Sequence, residues 1–470
     1  MKLDQILEQL NTFVWGPWML VLFMGTGIFL TVRLKLLPWK NLGFALRQVW
    51  KDIFCRDVKT GEGDISPFQS LMTALAAMMG TGNIVGVATA MVLGGPGALI
   101  WMILSAFIGM ATNFTESVLA VKYRCKNPAG DMCGGPMYVM RQAIKPAALG
   151  KVLAAMFAVF TLGASVGMGN MTQSNSAAMA LKDTFGIPEI LTGAILFFLT
   201  LMVLLGGIKS IGKVCGVVVP VMSVAYFIGT LAVIAINYKS LPSGITEMVR
   251  MAFSIRPVVG GLGGTLVAGM SKSLRWGVAR GVFSNEAGLG SAPIAAAAAR
   301  TDSPVRQGYI TMTGTFFDTI VVCTATGLAI ASSGLLGAVG GDGSILDGVA
   351  LTNKVFELAL GPAGRLMITV GITLFAFATI IGWEYYGEKA LEYLVLTHGN
   401  NARVLKGAVP VYRVIYSGAA FMGAVAALGT VWNFSDIMNA LMAVPNLICI
   451  LLLSREAAQA AQDFEKRRII

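Results

Sequence analysis

Charge is what this chain has least of. Asp, Glu, Lys and Arg make up 13% of its 470 residues, 56% are hydrophobic, and the mean hydropathy is +0.73. A soluble domain carries about 25% charged residues, so a water-soluble globule is excluded and a polytopic membrane protein remains. Histidine is nearly missing: the single His398 rules out His-rich metal chemistry and argues against a Ser-His-Asp triad. Six cysteines (Cys55, Cys125, Cys133, Cys215, Cys323 and Cys449) form no CxxC pair, so neither a zinc site nor a thioredoxin-like motif is indicated and unpaired thiols are expected. No separate soluble domain and no low-complexity segment stands out. The start, Met1-Lys-Leu-Asp-Gln-Ile-Leu-Glu8, lacks the basic leader and short apolar core of a cleaved signal peptide. The first span is therefore expected to be retained.

What is present is a series of apolar runs. About 20 apolar residues cross a bilayer, which places spans near 14–32, 67–93, 97–121, 151–180, 188–208, 214–236, 260–290, 307–334, 364–386, 409–429 and 433–453. The run 260–290 is interrupted by Lys272, Arg275, Arg280 and Glu286. The 56 glycines and 26 methionines suit close helix packing in lipid. The formal net charge of +11 reads as a topology signal. With the N-terminus outside, only Lys2, Lys182, Lys239, Arg250, Arg256, Lys354 and Arg365 face outward, and the rest of the 35 Lys and Arg face the cytoplasm. The residues from Arg455 to Ile470 make a short polar, helical, cytoplasmic tail. This arrangement leaves no face for nucleic acid.

One apolar run is unlike the others. Leu71 to Leu93 is uncharged, yet Gly80-Thr-Gly-Asn83 sits at its middle. Gly costs about 1 kcal/mol relative to Ala inside a helix, so local unwinding is expected there. Unwound backbone at membrane depth persists only where protein buries it or water lines it. Such a break exposes free carbonyls on one half and free N–H groups on the other, ligands for a cation and for a carboxylate. The spacing GxGxxxG over Gly80–Gly86 misses the dinucleotide fingerprint by one position and follows no strand. Tight packing through Gly82 and Gly86 is the competing reading. A looser echo, Gly288-Leu-Gly290-Ser291, lies about 200 residues later. With one extra helix in front, two five-helix units would each open on an interrupted helix and run in opposite directions, the pattern of a secondary transporter. The corresponding divisions are 1–65, 66–236, 237–453 and 454–470.

Polar residues inside spans are costly unless they face a bundle or cavity. Asn170, Gln173 and Ser174 share helical spacing; Gln173 would hydrogen-bond a polar substrate, or the three would simply join helices. Asp318 is the clearest ionisable residue inside a span, a mark of ion coupling or else a partner for Arg275 or Arg280. Glu116 reads as structural. Thr379 and Trp383 stand four residues apart and suit a cation ligand and a substrate lid, with an interfacial tryptophan as the competing reading.

The chain resembles the alanine/glycine:cation symporter family (sodium:alanine symporters) at Gly80-Thr-Gly-Asn-Ile-Val-Gly-Val-Ala-Thr89, Gly94-Gly-Pro-Gly-Ala98, Gly134-Gly-Pro-Met-Tyr138 and Arg275-Trp-Gly-Val-Ala-Arg-Gly-Val-Phe-Ser-Asn-Glu-Ala-Gly-Leu-Gly-Ser-Ala-Pro293. It departs at Ile100-Trp-Met-Ile103, where the family shows Phe-Trp-Met-Trp, and at Ala296, where a His is expected. The resemblance implies an all-α, leucine-transporter-type fold of two inverted five-helix repeats plus one N-terminal helix. It also implies sodium-coupled (in some members proton-coupled) import of alanine or glycine. By position it implies sodium ligands at the backbones of Ala76, Met79 and Phe375 and at Thr379, with the substrate carboxylate at Gly80, Thr81, Gly82 and Asn83. Gln173 and Trp383 would close a small pocket. The unwound part of the second helix would be Trp276–Gly281 or Asn285–Ser291; the first is favoured, placing Trp276 at the substrate.

The resulting expectation is a multi-pass transporter of the cell (inner or plasma) membrane, with no enzyme cofactor. Its partners are a small amino acid, sodium or protons, and lipid. The alternatives are a proton-coupled symporter, a channel, or an amino-acid-binding sensor. A membrane-embedded enzyme lacks converging acid, base or metal groups.

Overall fold

A hydrocarbon solvent leaves backbone polar groups no partner outside the chain, so the apolar runs fold as helices. The computed structural model describes residues 2–54, 61–128, 130–253, 266–341, 343–397 and 402–469. Cys55, Arg56, Lys59, Arg256, His398 and the start of the run 260–290 lie outside the described residues.

The chain opens with α1 (Lys2–Val14) and α2 (Pro17–Arg33), which form one apolar run. An interrupted helix follows, α3 (Pro67–Met78) and α4 (Val85–Gly94), and then α5 (Ala98–Lys122). A π turn at Gly167–Met171 joins α6 (Ala147–Val166) to α7 (Thr172–Phe185). Next come α8 (Glu189–Leu204) and α9 (Gly207–Ile236). The second interrupted helix is α10 (Leu266–Asn285) with α11 (Ala292–Ala297). A second π turn, Phe316–Cys323, joins α12 (Pro304–Thr315) to α13 (Thr324–Ser333). The chain ends with α14 (Pro362–Thr397), α15 (Ala402–Val425), α16 (Leu428–Leu452) and the polar tail helix α17 (Ser454–Ile469).

Among the described residues, eight helical runs are long and apolar enough to cross a membrane. The other three expected spans are the two interrupted stretches and α8, which is 16 residues long. Interruption and charge remove the first two from any search by length and hydropathy.

The central helix is α14, which packs on α3, α6, α7 and α9, while α5 packs on α10 and α12. Gly382 lets α14 approach the α3 backbone: a Cβ there would lie 3.0 Å from Ala77 N and 3.2 Å from Thr73 O. The start of α3 is fixed by Pro67 at its first turn and by a reciprocal capping box between Ser66 and Gln69. The segments flanking the two interrupted helices also hold each other. Asp64 N donates to Ala298 O (2.9 Å) and Arg300 N to Ile65 O (2.8 Å). Arg124, just past α5, donates to four carbonyls across this seam: Ala297 (3.1 Å), Ala299 (2.7 Å), Glu62 (2.8 Å) and Thr301 (2.9 Å). Strands β1 (Cys125–Lys126) and β2 (Met132–Cys133) form a small hairpin beside it. Cys125, Cys133, Cys215, Cys323 and Cys449 are free thiols.

Candidate substrate and cation site

The glycine-interrupted run breaks where its sequence suggests. After Met78, Gly80 N turns back to Met78 O (2.9 Å), and Thr81–Asn83 form a single 3-10 turn before α4. Thr81 N leaves the ladder altogether and donates to Gln173 Oε1 (2.9 Å). The carbonyls of Ala76 and Ala77 thereby lose their usual N–H partners four residues on. Thr379 of α14 takes up one of them, its hydroxyl donating to Ala76 O at 2.8 Å. Gly80 is required by space: a Cβ would come within 2.5 Å of Thr379 Oγ1 and 2.8 Å of Gln173 Oε1.

On the far side of the break stands Asn83, fully buried. Its amide donates to Asp318 Oδ1 (2.7 Å), to Asp318 O (3.1 Å) and to Cys323 Sγ (3.3 Å). Asp318 Oδ2 also accepts from Ser284 (2.8 Å) and Thr319 (2.7 Å). The Asn83 carbonyl oxygen and the Thr81 hydroxyl are buried without a hydrogen-bond partner. The two residues that anchor the break, Gln173 and Asp318, both come from π turns or the residues beside them. A π turn carries one residue more than an α turn and frees a carbonyl. Met168 O, so freed, accepts from Gln173 Nε2 at 2.9 Å.

The second break falls at Glu286–Ser291, between α10 and α11. This corrects the expectation of unwinding at Trp276–Gly281, which is regular α-helix. The glycines there serve packing: a Cβ on Gly281 would meet Ser105 Oγ at 2.6 Å, and one on Gly277 would clash with Ala98 O. Trp276 is accordingly not at the site; its ring lies under Arg275 and Arg280. The break is instead marked by positive φ at Glu286 (57°), Gly288 (95°) and Gly290 (79°). Glu286 accepts from Trp383 Nε1 (2.7 Å) and Ser291 Oγ (2.6 Å). Asn446 of α16 donates to Gly288 O (3.0 Å) and to Glu116, which gives Glu116 its structural role.

Thr379 and Trp383 do share one face of α14, and both are fully buried, so the interfacial reading of Trp383 fails. Its indole packs against Gly169, where a Cβ would collide with the ring. Phe375, one turn before Thr379, is buried against Tyr226. The alternative pairing of Asp318 with Arg275 or Arg280 is also overturned: Arg280 forks onto Asp436 (3.0 and 2.7 Å). Asn170 and Ser174 do not act with Gln173. The Asn170 amide donates to Tyr416 O (2.6 Å) of α15, and Ser174 bonds back to Asn170 O (3.0 Å) one turn earlier; Asn170 lies within the π turn and Gln173 beyond it. Sequence reasoning missed Ser284, Thr319 and Glu286; the signal was the hydroxyl and carboxylate content of Ser284-Asn-Glu286 ahead of the glycines.

Two interrupted helices with polar groups gathered at the breaks, inside an apolar bundle, define a secondary transporter. The fold is that of the leucine transporter. The crystal structure of MhsT in complex with L-phenylalanine matches with a TM-score of 0.51 at 13% identity, over 84% of this chain and 99% of that one. The model of the sodium:alanine symporter family matches residues 1–469, and the chain belongs to that family. It is 48% identical to the sodium/alanine symporter AgcS of Methanococcus maripaludis, covering 100% of this chain and 98% of the relative. It is 36% identical to the probable sodium/glutamine symporter GlnT of Bacillus subtilis, covering 99% and 92%. The protein is a multi-pass membrane symporter that couples sodium to an amino acid, and not an enzyme.

Proposed function

We propose that this protein imports alanine or glycine with sodium by alternating access across the cell membrane, with its N-terminus outside and its C-terminus in the cytoplasm. The observation that carries the reading is the Thr379–Ala76 contact at the end of a helix whose carbonyls have lost their own donors. Sodium would bind the oxygens of Ala76, Met79, Phe375 and Thr379, a carbonyl and hydroxyl set of the kind that discontinuous helices offer a hard cation. The substrate carboxylate would take the N–H groups over Gly80–Asn83, where Gln173 Oε1 now holds Thr81 N. Asp318, cradled by Asn83, Ser284 and Thr319, would serve ion coupling at the opposite side of the break. Gly82 lies against Ser284 and Phe283, and the Trp383 ring lies against Gly169. These close approaches on both sides of the break would crowd a long side chain, which favours alanine or glycine over the larger amide in the name of the relative GlnT. Residues 66–236 and 237–453 would form the inverted repeats that rock against each other.

Cation and carboxylate would share the unwound segment, so each raises the other's affinity by the same factor. Purified protein in liposomes should accumulate labelled alanine under an inward sodium gradient with pH equal on both sides. Accumulation driven by a proton gradient alone, or unsaturable flux without a gradient, would overturn the proposal.

A further inference from the structure

We propose that Glu384 is a proton-binding site, set between α14 and α15, and that its loading governs how these two helices move against each other during transport. The proposal rests on the transport reading above for its effect, but its chemistry stands on a separate cluster.

Glu384 is fully buried next to Trp383, and neither of its carboxylate oxygens has a hydrogen-bond partner. The nearest cation is Arg413 of α15, with Nε 3.7 Å from Glu384 Oε1. That guanidinium is already committed: its Nε (2.9 Å) and NH2 (2.8 Å) both bind Glu388 Oε2, one turn further along α14. Two carboxyl groups therefore compete for one guanidinium. The other titratable or charged groups facing Glu384 are Lys389 on α14 and Tyr412 and Tyr416 on α15. Lys389 is spent on Glu392 (2.8 Å). The Tyr416 hydroxyl donates to Ile380 O (3.0 Å), and the Tyr412 hydroxyl pairs with Ser165 of α6 (3.0 Å). Among the described residues no donor comes within hydrogen-bonding distance of either Glu384 oxygen.

A buried, ionised carboxylate with no hydrogen bond of its own and a second carboxylate beside it is costly. One proton removes the cost. A hydronium ion gives up the proton and leaves as water, an O–H bond forms on Glu384, and the new donor faces the carboxylate of Glu388, which keeps Arg413. The cluster then goes from one net negative charge to neutral with no electron transfer. Any movement that parts α14 from α15 and admits water hydrates Glu384 and releases the proton. The helix that moves is the one carrying Thr379 and Trp383, so proton loading and the sodium and substrate site share one rigid element.

The test uses the full-length protein in liposomes. Sodium-driven alanine uptake by the unmodified protein, measured over about pH 6 to 9, should fall on the alkaline side. Glu384→Gln, which imitates the loaded form, should hold the acid-side rate throughout, and Glu384→Asp should restore the alkaline fall. The same alkaline fall in Glu384→Gln would overturn the proposal. A second readout needs neither substrate nor transport: the infrared C=O stretch of a protonated carboxyl, recorded at acid pH, should lose one component in Glu384→Gln. An unchanged band would overturn the proposal even if uptake proved to use another substrate. Absence of alanine uptake in the unmodified protein would count against the transport reading alone.

Discussion

Replacing Thr379 by Val isolates the contact on which the cation site is built. Valine keeps the shape of threonine and removes one hydroxyl, so the packing of α14 against α3 is retained. The hydroxyl lies 2.8 Å from Ala76 O, and Thr379 and Ala76 are both fully buried. Its loss strands a carbonyl whose helical partner has already turned away, at about 1–3 kcal/mol. Sodium binding also loses one of its four proposed oxygens. Taking about 2 kcal/mol for the effect on the ion, half-saturating sodium for alanine uptake should rise roughly 30-fold. Alanine affinity measured at low sodium should fall and recover as sodium is raised, because the coupling is reciprocal. The control is Thr373→Val on the same helix, whose hydroxyl bonds only Thr369 O one turn back (2.8 Å); its sodium curve should match that of the unmodified protein. A Thr379→Val protein with half-saturating sodium within about twofold of normal, well under the 1.4 kcal/mol of a tenfold change, would refute the assignment of the cation to this side of the break.

Gly80→Ala should abolish uptake while leaving a folded protein, since its methyl would displace both Thr379 Oγ1 and Gln173 Oε1; full uptake with a normal size-exclusion profile would contradict this. Glu286→Gln and Trp383→Phe should each slow transport, and their double mutant should be no slower than the worse single, because the two side chains share one 2.7 Å hydrogen bond. Additive losses in uptake rate would show that they act separately. Arg124→Gln removes four hydrogen bonds to the seam between the interrupted helices and should speed maleimide labelling of a cysteine placed at Ser70, which is buried against Ala295. An unchanged labelling rate would mean that the seam stays closed without Arg124.

Much of the fold was legible because hydrocarbon imposes a single solution on long apolar runs, and the first break was legible because Gly80-Thr-Gly-Asn83 has no business in a packed span. The second break was harder to read. Trp276–Gly281 and Asn285–Ser291 both combine glycine with polar residues, and only three-dimensional packing separates a glycine that admits a neighbouring helix, such as Gly281 beside Ser105, from one that bends the chain, such as Gly288 at φ 95°. The partners of charged residues were illegible for the same reason. Arg280 meets Asp436 across 156 residues, a separation at which spacing carries no information. The grouping of Asn170 with Gln173 rests on α-helical spacing throughout, whereas Gly167–Met171 is a π turn.

Those two π turns have a consequence for the chain's tolerance of change. Each stores one surplus residue in the middle of a membrane-length helix, and in an α-helix one residue corresponds to a rotation of about 100°. Deleting a single residue within Gly167–Met171 would let the helix close into regular α turns and swing α6 by that angle relative to α7. Either Asn170 would leave Tyr416 or Gln173 would leave Thr81. The same deletion within Phe316–Cys323 would part Asp318 from Asn83 or α13 from Tyr226, which Thr326 now holds at 2.7 Å. In these two spans the chain is keyed by rotation rather than by length, so a one-residue deletion that scarcely alters hydropathy would put the site out of phase with its scaffold.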